Sequence, residues 1–171
     1  MDLRAYGKIL ITFVIVVLAQ VLLINNMNIG SWGITPMFYT LFILVLPFET
    51  QKWALLVMSF LLGFTIDVFC DTPGLNAGAS TLMAFARPWV LGINAPRDGY
   101  ENGTHPYLMD MGFAWYVYYS GTLILIHHTA YFFLDTFGFE HFFKTIAQII
   151  LTAILTEVLV IFSQYIAFRK Q

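Results

Sequence analysis

Six apolar runs succeed one another along this chain, over residues 9–24, 34–48, 53–69, 75–91, 115–137 and 142–168. A bilayer core about 30 Å thick takes roughly 20 helical residues to cross. Most of the runs come near that length. Only 11% of the 171 residues are charged and 59% are hydrophobic; mean hydropathy is +0.76. A soluble domain carries about 25% charged residues, so the polar side chains here are too few to clothe a soluble globule. The expectation is an all-α integral membrane protein, a single polytopic domain over residues 1–171 with about six transmembrane helices. The second run is the weakest: it is short and bracketed by Pro36 and Pro47. The sixth is longer than a crossing needs, which predicts tilt. The one long polar stretch, residues 92–112, has the composition of a loop.

Charge and cysteine exclude several functions. A net charge of −2 argues against nucleic-acid binding driven by phosphate neutralisation. The single cysteine, Cys70, allows no disulfide within the chain and no cysteine-based metal site. The first run lacks a small-x-small cleavage site, so it reads as a retained helix rather than a signal peptide. Asn102-Gly103-Thr104 matches a glycosylation sequon, a short pattern that chance often supplies. Six crossings put both termini on one side. Arg4, Lys8, Lys52, Arg87, Arg97, Arg169 and Lys170 then share that side, and only Lys144 faces the other. The positive-inside rule makes the shared side cytoplasmic. The connection after the third run is therefore extracytoplasmic, and residues 92–112 form a cytoplasmic loop.

Asp67 is the residue that most needs explaining, because a carboxylate at membrane depth is costly. Ser59, Gly63, Asp67 and Asp71 recur every four residues and share a helix face. Ser59 and Gly63 form a small-xxx-small pair that admits a close neighbour. Asp71-Thr72-Pro73-Gly74 has turn chemistry, and Asn76 is placed to cap the returning helix. That helix has its own small face: Ala77, Ser80, Thr81 and Ala84. The pattern predicts a tight hairpin of the third and fourth runs. Asp67 would cap the fourth helix or bond to Ser80 or Thr81 across the seam. A partner interface or a ligand pocket is the sharper alternative.

Three further features stand out. His127 in the fifth run and Glu157 in the sixth fall at comparable depth, which predicts an intramembrane polar pair. The adjacent histidines 127 and 128 point about 100° apart on a helix, which disfavours joint metal ligation. Trp115, Tyr116, Tyr118 and Tyr119 read as an interfacial belt. Phe132, Phe133, Phe137, Phe139, Phe142 and Phe143 read as lipid-facing, core or docking residues. No companion acid, base or metal ligand stands at motif spacing, so no catalytic residue, metal or cofactor is expected.

The order of features resembles the rod shape-determining protein MreD family. The matching residues are Pro47 before the third run, then Gly63, Asp67, Pro73, Gly74, Leu75, Asn76 and Ala77. The layout extends over residues 10–163, but the motif covers only about fifteen residues. Residues 92–112 are more polar than the shortest members of that family lead one to expect. The resemblance implies a non-enzymatic scaffold of the bacterial Rod complex, the elongasome. That machinery supports side-wall peptidoglycan synthesis and rod cell shape. It implies partnership with MreC and association with MreB, RodA and a penicillin-binding transpeptidase in the bacterial inner membrane. The family's fold is similar to that of the substrate-binding (S-component) subunits of vitamin transporters. A substrate-binding membrane subunit of a small-molecule transporter is therefore the alternative reading, with Asp67, Asn76, His127 and Glu157 as its candidate polar groups.

Overall fold

The computed structural model describes residues 3–26, 34–101, 104–136 and 142–167, which form helices and turns with no β-strand. α1 (Leu3–Leu18) runs on into a π-helical turn, Ala19–Ile24, where the Asn25 amide reaches five residues back to the Gln20 carbonyl. A 3-10 turn (Phe38–Thr40) leads into the short α2 (Leu41–Val45). α3 (Lys52–Cys70) and α4 (Leu75–Ile93) make a hairpin. A single-turn helix, α5 (Leu108–Met111), precedes α6 (Phe113–Thr136) and α7 (Phe142–Ala167). The sequon at Asn102, the phenylalanines 137 and 139, and Arg169 and Lys170 lie outside the described residues.

Among the described residues, three helical stretches are long and apolar enough to cross a membrane: Gly7–Ile24, Lys52–Cys70 and Phe142–Ala167. Their outward faces carry large apolar side chains such as Leu10, Val14, Phe60, Val68, Ile154 and Phe162, all exposed. Contiguous apolar surface of this extent marks contact with lipid or protein rather than water. α4 and α6 have 19 and 24 residues, about 28 and 36 Å by helical rise. They are less apolar because they carry the polar interior: Asn76, Arg87, Ser120, His127 and His128 are all buried.

The second run departs from the expected helix over 34–48. Helical structure covers only residues 38–45, about 12 Å, too short to cross a bilayer alone. Its prolines are the reason. A residue before proline is pushed out of the α region, and Leu46, before Pro47, is extended at ψ 140°. Every residue of α2 is buried, the condition under which interrupted backbone is tolerated at membrane depth. The neighbours are arranged in sequence: α3 packs on α4, α4 on α6 and α6 on α7, while α1 lies against α2 and α3.

The α3–α4 seam is the closest approach. Leu55, Ser59, Leu62, Gly63, Ile66 and Asp67 form the buried face of α3. A Cβ on Gly63 would meet the Asn76 carbonyl and come within 2.6 Å of the Ala77 Cα. Both obstacles are backbone and cannot rotate away. Asp71 does not continue this face. It is exposed and closes α3 in the left-handed conformation, φ 55°, a geometry Asp and Asn tolerate better than most. Gly63→Ala is therefore expected to cost about 1–3 kcal/mol, the range for overpacking a tight contact, and Gly63→Leu more. Thermal unfolding of the purified proteins in detergent checks this; an unchanged midpoint for Gly63→Leu would refute the seam.

Candidate functional site

The turn between α3 and α4 holds the candidate site. The first amides of a helix have no intrahelical acceptor. Those of α4 are met by Asp67 from the end of α3. Its Oδ1 accepts from the Asn76 amide (3.0 Å), the Asn76 Nδ2 (2.9 Å) and the Thr72 hydroxyl (2.6 Å). Its Oδ2 accepts from the Ala77 amide at 2.9 Å. A carboxylate is also favoured at the positive end of the helix dipole. Gly74 occupies the N-cap position with φ 83° and no side-chain bond, so the capping group comes from Asp67, nine residues before Asn76. Asn76 itself sits inside the first turn rather than capping it. Pro73 and Gly74 are exposed turn residues that set the reversal.

Beyond Asn76 the network runs inward. Both Nδ2 bonds of Asn76, to Asp67 and to Thr72 (2.9 Å), fix its amide orientation, because a flip would set oxygen against carboxylate. Its Oδ1 then accepts from the Tyr39 hydroxyl at 2.7 Å. That hydroxyl has spent its one proton, so at 3.0 Å from the His127 Nε2 it acts as acceptor. The neutral His127 ring thus carries its proton on Nε2. Its buried Nδ1 has no partner among the described residues.

His128 takes the opposite tautomer. Its Nδ1 lies 2.8 Å from the Ile124 carbonyl, which only accepts. Its Nε2 therefore accepts from the Thr156 hydroxyl at 3.1 Å. Thr156 in turn accepts the Met37 amide at 2.9 Å.

His127 and Glu157 do not form the expected pair. His127 faces Tyr39, whereas the Glu157 Oε1 lies 2.6 Å from the Ser120 hydroxyl. Ser120 and His127 are seven residues apart on α6, about 10.5 Å along its axis. Nor does Asp67 bond to Ser80 or Thr81. Thr81 returns its hydroxyl to the Ala77 carbonyl at 2.7 Å. The aromatic belt also divides: Tyr118 is exposed, while Tyr116 and Tyr119 are fully buried.

At the far end of α4 lies a second fastening. Arg87 is only 1% exposed. Its Nη2 donates to the Leu46 carbonyl and its Nε to the Tyr119 hydroxyl at 2.8 Å. Tyr119 donates to the Leu44 carbonyl at 3.0 Å. The last carbonyls of α2, which have no helical donor, are thus met by a cation and a phenol. By sequence, Arg87 counts only among the basic residues that set orientation; its place inside an apolar run is the same signal that singled out Asp67. Tyr39, Gln20 and Tyr119 had no such signal, since the bonds that tie them to other segments span 16 to 88 residues.

A cavity of about 370 Å³ opens beside the network. Its polar walls come from Gln20, Asn25, Thr35, Tyr39, Thr72, Asn76 and Tyr131. Among the described residues, no group of three or more histidine, cysteine or acidic side chains is placed to hold a metal. Compared with known proteins, the chain matches no family model, no curated protein and no solved structure.

Two measurements test the network. Asp67→Asn keeps an acceptor for Asn76 and Thr72 but sets an amide against Ala77, whereas Asp67→Leu strands every donor. Each stranded buried donor costs about 1–3 kcal/mol, so the leucine variant is expected to unfold at clearly lower temperature than the asparagine one. Equal loss in both would show that charge, rather than hydrogen bonding, is what the site requires. In ¹⁵N-histidine NMR, His127 should show the Nε2–H pattern and His128 the Nδ1–H pattern. Identical tautomers would break the assigned chain of donors.

Proposed function

We propose that this chain is a non-enzymatic scaffold subunit of the bacterial Rod complex, similar to MreD. On this reading it serves side-wall peptidoglycan synthesis by holding other membrane subunits in register. The observation that carries it is the fate of Asp67. The residues on which the resemblance rests, Gly63, Asp67 and Asn76, fall in one buried fastening. There the carboxylate is spent on four hydrogen bonds, two of them to helix amides. A group so engaged is suited to fixing two helices rather than to exchanging protons with a substrate. The proposal includes six crossings of the inner membrane and cytoplasmic termini, with MreC as the direct partner and MreB, RodA and a transpeptidase in the wider assembly.

The test is co-purification. MreC solubilised from the same cells in mild detergent should carry this chain, and Gly63→Leu should reduce the yield of the pair at least severalfold. MreC that never carries it would overturn the proposal.

The cavity of about 370 Å³ favours a second reading, a substrate-binding subunit of a small-molecule transporter. Its walls are concave and carry convergent polar groups, as small-molecule sites do. Thermal-shift screening against vitamins and metal ions separates the two. The scaffold reading expects no stabilisation. A shift that Asn76→Ala abolishes would favour transport.

A further inference from the structure

The end of the α3–α4 hairpin opposite the Asp67 turn has two adjacent cavities that the scaffold reading does not use. One, of about 260 Å³, is bordered by Thr50, Lys52, Arg87 and Tyr100. The other, of about 190 Å³, lies between Leu56, Ala84, Phe85 and Trp89. Lys52, Leu55 and Pro88 line both, so a polar chamber and an apolar groove share a wall. The groove's rim residues Phe85 and Trp89 are half and nearly two-thirds exposed, which places its mouth on the apolar outer surface of the hairpin.

The charge in the chamber is one-sided. Arg87 and Lys52 border it, and among the described residues no carboxylate does. The bonds of Arg87 to Tyr119 and Leu46 use its Nε and Nη2. Both partners are neutral, and neither bond occupies Nη1. A buried guanidinium without an anion is costly, and its remaining donors have the fork geometry that suits phosphate oxygens. The hydroxyls of Thr50 and Tyr100 at the same wall donate to the Pro47 and Leu91 carbonyls, so the two cations are the donors an anion would meet there.

We propose that this double cavity binds one anionic phospholipid. Its phosphate would sit between Lys52 and Arg87, and one acyl chain would lie in the groove beside Leu56 and Trp89. Basic pockets between membrane helices hold anionic headgroups in this way. The apolar groove beside the cations selects a lipid over free phosphate. The assignment does not rest on the Rod-complex reading.

Native mass spectrometry of the detergent-purified full chain tests it. Phosphatidylglycerol and phosphatidylcholine with identical acyl chains are supplied at equal concentration. At least a fivefold excess of bound phosphatidylglycerol is expected. Lys52→Gln, at an exposed position, should fold normally and bring the ratio near one. Lys144→Gln, at an exposed position on another helix, should leave it unchanged. Leu56→Trp, which fills the groove, should reduce the bound phosphatidylglycerol severalfold. Equal retention of the two lipids by the unaltered protein would overturn the proposal, as would equal effects of the two lysine variants. Thermal stabilisation by inorganic phosphate matching that by phosphatidylglycerol would overturn the lipid assignment.

Discussion

The structure depends on finding partners for the backbone of an interrupted segment. Residues 34–47 are helical only over 38–45, and residues 36–46 are buried except for the partly buried Phe38. Their free amides and carbonyls have no water to turn to. The other helices answer them with side chains. Gln20, from the π-helical end of the first helix, donates to the Pro36 carbonyl and accepts from the Tyr39 amide. Thr156, from α7, takes the Met37 amide. Arg87 and Tyr119, from α4 and α6, take the Leu46 and Leu44 carbonyls. Four helices thus converge on one short segment, and each contributes a residue that would be expensive to leave unpaired.

α4 is the strut in this arrangement. Its first turn is held by Asp67, and twelve residues along, about 18 Å, Arg87 holds the end of α2. The two ionisable side chains never meet. Each instead serves a helix terminus of the sign it complements, the carboxylate at amides and the guanidinium at carbonyls. This spreads the cost of two buried charges over neutral backbone dipoles instead of one ion pair. It also couples the hairpin to the interrupted segment at both ends, since Asn76 reaches Tyr39 at the segment's other extremity.

The hairpin was legible in the sequence because its determinants are local. Four-residue spacing put Ser59, Gly63 and Asp67 on one face, and turn residues marked the reversal. The interruption was half legible: Pro36 and Pro47 bracketed it, but hydropathy alone read it as a crossing. The pairing of His127 with Glu157 failed for a geometric reason. Depth was inferred from the ends of the runs, while rotation about each helix axis was left unspecified. One residue turns a side chain by about 100°. His128 therefore faces Thr156 on α7, and His127 faces Tyr39. Rotation is set by packing against neighbours far away in sequence, which periodicity within one helix does not encode.

In lipid, apolar helices gain little from meeting one another, because acyl chains solvate them equally well. Specificity must then come from close backbone approach and from polar groups that lipid would leave unsatisfied. Both devices coincide at the α3–α4 turn. Gly63 lets the Asn76 backbone come close, and that closeness brings the Asn76 and Ala77 amides within reach of the Asp67 carboxylate. The steric and polar terms are not independent. A side chain at position 63 would push the seam apart and lengthen the carboxylate's bonds, while loss of the carboxylate would remove what draws the seam together. Substitutions at 63 and 67 should therefore cost less together than the sum of their separate effects, as expected for two residues acting on one contact.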